Sequence, residues 1–175
     1  MTDVSTEHPR AAELRTFVDR EYRQVVGSVT MITGDRTIAE DAVQEALVKA
    51  WKRREQPIEN LAAWVTVVAS NEARSGRRRK GSEQRALERA ARRTDASGMA
   101  GDHDADGVDP ELFAALAGLP LRERQTAVLF YVHDLSVLDV AAQLGISEGS
   151  VKTLLSRARS HLATALGHEA TGGVA

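Results

Sequence analysis

The sequence predicts an all-α protein: two small helical domains joined by a flexible acidic linker, the second containing a helix-turn-helix. Three observations carry this. Apolar residues recur at helical spacing in both halves, with no alternating strand pattern. The apolar content is 42% and aromatics only 4%, so the cores are expected to be built from Ala, Leu and Val, enough for packing rather than disorder. Between the halves, residues 94–120 carry six acidic and no basic side chains, the mark of a solvated connector.

Residues 1–10 are polar and expected to fray. From Ala11 to about Ile32, Leu14, Phe17, Val18, Tyr22, Val25, Val26 and Val29 mark one helix, ended at Thr33-Gly34-Asp35. Thr37 and Glu40 have capping-box spacing and open a second helix to about Arg54. Its apolar stripe is Ile38, Ala42, Val43, Ala46, Leu47, Ala50 and Trp51, leaving Asp41, Gln44, Glu45, Lys49 and Lys52 for other faces. Gln56-Pro57 breaks the pattern. Asn60 can cap a third helix with Leu61, Trp64, Val65, Val68 and Ala69 inward and Thr66, Ser70, Asn71 and Arg74 outward. That helix runs into Ser75-Gly76-Arg77-Arg78-Arg79-Lys80, a cluster suited to phosphates.

Ser82 to Arg93 can form a charged helix with little apolar face. Residues 81–109 are read together as the linker, its acidic part being TDASGMAGDHDADGVD. The Asp-rich run lacks the spaced ligands and closing Glu of a calcium loop. Pro110 suits a first helical position, and Leu112, Phe113, Leu116 and Leu119 give a short helix before Pro120. Arg122 to His133 forms the next helix, with Ala127, Val128, Leu129, Tyr131 and Val132 as its core.

Residues 135–162 then read as a short helix, a tight turn and a longer helix. Ser136 and Asp139 have capping-box spacing, and Gly145 suits a left-handed helix end. Ser147 can cap the longer helix, with Glu148 on the positive end of its dipole. Ala141 is small enough for close helix approach, and Val151 and Leu154 fix the second helix against the first. Gly149, Ser150, Lys152, Thr153, Ser156, Arg157 and Ser160 are left outward. This spacing is that of a helix-turn-helix whose second helix can enter a major groove. An ordinary helical hairpin would leave the joint spacing of Ala141, Gly145 and Val151 unexplained.

The net charge of −2 hides local contrasts. Residues 1–80 carry 14 basic and 12 acidic side chains, and the densest basic run is Arg74 to Lys80. Local patches matter more to phosphate binding than the total. There is no cysteine, which excludes a disulfide framework and a thiolate metal site. No apolar run approaches the roughly 18 residues of a membrane helix, and the amino terminus has no signal layout, so a cytoplasmic location is expected. The five histidines, at 8, 103, 133, 161 and 168, show no metal spacing, and no nucleophile motif or phosphate loop is present. No catalytic residue, cofactor or metal is therefore expected.

Three stretches carry a resemblance to a known family: GDRTIAEDAVQEALVKAW (34–51), AWVTVVASNEARSGRRRK (63–80) and LPLRERQTAVLFYVHDLSVLDVAAQLGISEGSVKTLLSRARSHL (119–162). Together, in this order, they resemble a bacterial RNA polymerase sigma factor of the extracytoplasmic-function class. The resemblance implies a region-2-like domain at 11–80, a linker at 81–109 and a region-4-like domain at 110–166. It implies that Asp41, Gln44 and Glu45 face the β′ clamp helices of core RNA polymerase. Asn71, Arg74, Arg77, Arg78, Arg79 and Lys80 would meet the minus-ten element and its melting. Ser147, Ser150, Lys152, Thr153, Ser156, Arg157 and Arg159 would read the minus-thirty-five element. Trp51 and Trp64 look like core anchors. Partners implied are core polymerase (including its β flap), promoter DNA and an anti-sigma factor, with no small-molecule substrate.

The chain departs from the family pattern in places. Trp51 and Trp64 lie close together, so the base-capturing loop around Arg53 to Asn60 is short. Leu61 stands where an aromatic is common, and Ser75 where an Asp is often found after the Asn. No further domain is expected after Leu166. The competing reading is a stand-alone helix-turn-helix regulator, which would bind duplex DNA tightly without polymerase. A helical adaptor would leave the Arg74 to Lys80 cluster unexplained.

Overall fold

Two sets of helices share a seam along one long helix. The computed structural model describes residues 8–90 and 109–167, the side chains of residues 77–90 excepted. The elements are α1 (Pro9–Arg20), α2 (Tyr22–Thr33), α3 (Arg36–Lys52), α4 (Leu61–Ala90), α5 (Pro110–Gly118), α6 (Leu121–Ala127), which continues as a π-helical turn (Val128–Val132), α7 (Val137–Leu144) and α8 (Glu148–Ala165). There is no strand among the described residues. The expected all-α class with its helix-turn-helix holds. The acidic run at 94–108 and the tail after Gly167 lie outside the described residues.

The single helix expected from Ala11 to Ile32 is two. Glu21, at φ −117°, ends α1 and precedes α2. Val18 is consequently 52% exposed rather than core. Gly34 closes α2 at φ 77°, the left-handed end that glycine adopts without a Cβ clash. The cap of α3 is Asp35, not Thr37: its Oδ1 accepts from Ile38 N at 2.9 Å. Asn60 caps α4 as expected, accepting from Ala63 N at 2.9 Å. Phe17, Val25, Val29, Val43 and Val65 are almost fully buried, and Ala39, Ala42, Ala46, Ala50 and Ala69 let α2, α3 and α4 approach closely. Trp51 does not join them. It lies on the last turn of α3, is 40% exposed, and is flanked by Arg54 and the ring edge of His8.

The second half packs on a wall supplied by the first. Leu129, Val140, Ala141, Leu144, Val151 and Leu155 form one cluster with Ala63 and Val67 of α4. Leu116, Leu119, Ala127 and Ala158 form another, met by Met31 of α2. Tyr131 is 53% exposed rather than core. The π-helical turn rotates the chain, and Leu129 takes the inward place. Leu155, rather than half-buried Leu154, completes the contact of α8.

Polar bonds cross the same seam. Gln125 is fully buried and donates to Ser70 Oγ at 2.7 Å and Asn71 Oδ1 at 3.0 Å. His133 Nε2 lies 3.1 Å from Thr66 Oγ1. That hydroxyl already donates to Ala62 O at 2.8 Å, so the imidazole is the donor. Arg124 bonds the carbonyl of Ile32 and, at 2.7 Å, that of Leu119. Helix α4 continues past Lys80 to Ala90. Residues 81–90, grouped with the linker from charge, are thus helical, in keeping with the charged helix expected from Ser82.

Candidate nucleic-acid interface

Helix α8 is held at its start and left bare on its outer side. Ser147 Oγ accepts from Ser150 N at 3.1 Å, and Gly145 turns the chain at φ 64°. Ile146 N closes that turn on Ala141 O at 3.0 Å. The supporting helix α7 has its own local cap: Ser136 Oγ accepts from Asp139 N at 3.1 Å and donates to the Asp139 carboxylate at 2.6 Å. With Val151, Leu155 and Ala158 buried beneath, the remaining face presents Ser147, Ser150, Lys152, Thr153, Ser156, Arg157 and Arg159 to solvent. Thr153 Oγ1 donates to Gly149 O at 2.9 Å, and Arg159 reaches Tyr131 Oη at 3.4 Å. A helix of 18 residues bearing cations and small hydroxyls on one side can enter a major groove, with Arg able to meet both guanine acceptors and phosphates.

Helix α4 is held on two sides. Thr66 and Ser70, expected outward, are 0% and 1% exposed because α6 and the turn after it cover them. Their hydroxyls bond back to the helix, Thr66 to Ala62 O and Ser70 to Val67 O at 3.0 Å, so they enter the seam without stranded donors. Asn71 and Arg74 remain exposed. The helical backbone carries Arg77, Arg78, Arg79 and Lys80 onward, their side chains lying outside the described ones.

Beside Asn71 a cavity of about 380 Å³ opens between α3 and α4, lined by Lys49, Lys52, Arg53, Trp64, Val68, Asn71 and Glu72. Lys49 and Glu72 pair across it. The Arg53 guanidinium lies 5.9 Å from the centroid of Trp64. An aromatic face with cations around it is what an unpaired nucleotide meets in single-strand sites: a stacking platform and phosphate partners. Trp64, expected as a core anchor, is half-buried and lines this cavity. The signal was present as Trp64, Val68 and Asn71 at one helical face of α4 and Lys49, Lys52 and Arg53 at the end of α3.

Asp41, Gln44 and Glu45 are exposed together on α3, opposite buried Ala39, Val43 and Ala46. They form a patch apart from the cations at its far end. His133 has its pKa lowered by burial. Among the described residues no group of three His, Cys, Asp or Glu is placed to hold a metal ion, and no helix is long and apolar enough to cross a membrane.

Comparison with known proteins adds family evidence to this geometry. Residues 17–83 match the model of sigma-70 region 2, and residues 111–162 match that of sigma-70 region 4. The chain is 32% identical over 157 residues to the ECF RNA polymerase sigma factor SigL of Mycobacterium tuberculosis, covering 83% of this chain and 84% of the relative. It is 31% identical over 137 residues to the ECF RNA polymerase sigma factor EcfG of Rhodopseudomonas palustris, covering 77% and 75% of the two chains. Among solved structures, the sigma factor RpoE of Bartonella quintana, crystallised with the anti-sigma factor NepR, matches with a TM-score of 0.68 at 25% identity, over 89% of this chain and 97% of that one. With matching region 2 and region 4 models in order, and a relative of this identity aligned over most of both chains, the protein belongs to the extracytoplasmic-function RNA polymerase sigma factors.

Proposed function

We propose that the protein is a dissociable initiation subunit: it binds core RNA polymerase, brings it to promoters carrying minus-ten and minus-thirty-five elements, and helps open the strands. The observation that carries this reading is that one chain holds two different surfaces, an exposed cationic face on α8 and an aromatic-lined cavity between α3 and α4. The bare face of α8 suits duplex DNA. The Trp64 cavity beside Asn71 suits an unpaired base. A regulator that only docks on duplex has no use for the second.

The roles divide accordingly. Residues 11–80 form the polymerase-binding and melting unit and 110–166 the upstream-reading unit. Asp41, Gln44 and Glu45 offer acceptors to a basic partner surface on the polymerase clamp. Asn71 and Arg74, with Arg77, Arg78, Arg79 and Lys80, meet the minus-ten region. Ser147, Ser150, Lys152, Thr153, Ser156, Arg157 and Arg159 form the minus-thirty-five face. Strand opening needs no covalent chemistry: holding the single strand offsets the cost of unpairing. The protein is accordingly not an enzyme and needs no cofactor, and it works in the cytoplasm, where the template is. The Bartonella neighbour is bound by an anti-sigma factor, and by likeness this chain has a protein inhibitor of the same kind.

Run-off transcription with core polymerase on genomic fragments tests the reading. Promoter-dependent transcripts that appear only when the chain is added are expected. Tight specific binding to duplex without polymerase, and no transcripts with it, would instead establish a stand-alone regulator.

A further inference from the structure

Arg10 is 5% exposed, an unusual place for a guanidinium. It pairs with Glu13 one turn along α1, and it donates to the carbonyl of Gln56 at 2.7 Å, 46 residues away in sequence. Its Nε, also buried, has no partner among the described residues. Burying a cation on so few partners is costly, so what it holds matters.

What it holds is the turn between α3 and α4. Gln56 Oε1 accepts from Arg53 Nε at 3.1 Å, and Arg53 in turn lies over Trp64 and lines the cavity. A second tether runs beside the first. The His8 ring meets Trp51 edge-on at 6.0 Å, and its Nε2 lies 3.4 Å from Glu55. None of Arg10, His8 and Gln56 lines the cavity itself. Residues 53–57 are exposed, and a hydrogen bond between two exposed side chains does little by itself to fix a turn. The turn already has a backbone bond from Gln56 N to Arg53 O at 2.8 Å; the buried end of the relay adds an anchor from α1, and a turn ordered before binding loses less freedom on binding.

We propose that Arg10 is a positioning residue: by fixing Gln56 it holds Arg53 over Trp64 and sets the shape of the cavity for an unpaired promoter base, a role that rests on that cavity receiving such a base. The amino-terminal helix thereby belongs to the strand-capture apparatus, although it touches no DNA in this scheme.

The test uses holoenzyme reconstituted from the full chain and core polymerase, on fork-junction promoter DNA carrying each of the four bases in turn at every unpaired minus-ten position. Arg10→Ala is expected to flatten the base preference at one position by about tenfold, since displacing a positioned group by 1 Å can cost about a hundredfold. Polymerase affinity and duplex binding through α8 stay at the unsubstituted level. Gln56→Ala keeps the carbonyl that Arg10 holds but removes the Arg53 arm, and flattens the same position. The double variant does no more than either single one, the mark of groups acting in series. Arg10→Lys, which can still donate to that carbonyl, retains most of the preference.

A uniform loss for all four bases in Arg10→Ala, or losses that add in the double variant, would make Arg10 merely structural and overturn the proposal. Should Arg10→Ala fail to fold, Gln56→Ala decides: an unchanged base preference sinks the relay. Failure of the cavity assignment looks different. Arg53→Ala and Trp64→Ala would then leave the preference at every position unchanged, whatever the Arg10 variants do.

Discussion

Helices α8 and α4 are both proposed to meet DNA, yet the fold treats them differently. Helix α8 is buried along one stripe, Val151, Leu155 and Ala158, with Leu154 and Leu162 half-buried at its margins, and the face carrying Lys152, Ser156 and Arg157 is exposed. Helix α4 is buried along two. Leu61, Val65 and Ala69 face α2 and α3, while Ala63, Thr66, Val67 and Ser70 face the second half of the chain. Among the described side chains of α4, Asn71, Arg74 and those on the Trp64 side are left for a ligand. The difference teaches where binding and folding can be separated. On α8 a substitution can remove a DNA contact and leave packing alone. Over residues 61–76 of α4, whose side chains are described, most positions serve packing as well.

The largest expected effect lies at the seam. Leu129 is fully buried between Val140, Val151 and the α4 wall. Leu129→Ala should destabilise by roughly 2–5 kcal/mol, the usual cost of a buried Leu truncation with its cavity, read as a lower denaturation midpoint. Loss of a single cooperative transition in favour of two would sharpen the comparison, because the halves would then melt separately once the seam is weakened. A loss below about 1 kcal/mol would break it, since Leu129 would not be packed as described.

The α8 face should behave the other way. Arg157→Ala is expected to weaken promoter binding by roughly 1–3 kcal/mol if Arg157 contacts a base, with stability changed by no more than about 0.5 kcal/mol, as for an exposed position. Promoter-dependent transcription and thermal melting on the same preparation check both halves of the statement. Unchanged transcription would place the reading surface elsewhere on α8. A large stability loss would show that the face is not free.

This asymmetry also explains which parts were legible in the sequence. The helix-turn-helix is written in local chemistry: Ser136 with Asp139, Gly145, and Ser147 with Ser150 are all within three residues of their partners. Spacing alone reveals them. Thr66 and Ser70 mislead for the complementary reason. A polar residue on an amphipathic helix reads as outward, but hydroxyls that bond their own helix carbonyls can be buried, and the groups that cover them come from residues 125 and 133. Trp51 and Trp64 mislead because hydropathy counts an indole as core. Trp51 sits where α3 overruns the core, and Trp64 turns one face to a cavity. Asp35 displaces Thr37 as a cap within two residues, a choice that the local pattern leaves open.

The smallest expected effect is a titration at the seam. Burial lowers the pKa of His133, and its Nε2 already donates to Thr66 Oγ1. By that burial the folded chain favours the neutral ring, while the unfolded chain takes up a proton at the ordinary value of 6.5. With a folded pKa below the unfolded one, the stabilising contribution is complete above about pH 6.5 and is lost as pH falls below that value. Melting measured from pH 7.5 down to 5.5 should give a falling midpoint. His133→Gln, whose amide can donate to the same hydroxyl without titrating, should flatten the fall. Equal slopes in the two proteins would mean that His133 is solvated like an unfolded histidine, and the α4 side of the seam would then be as open as the outer face of α8.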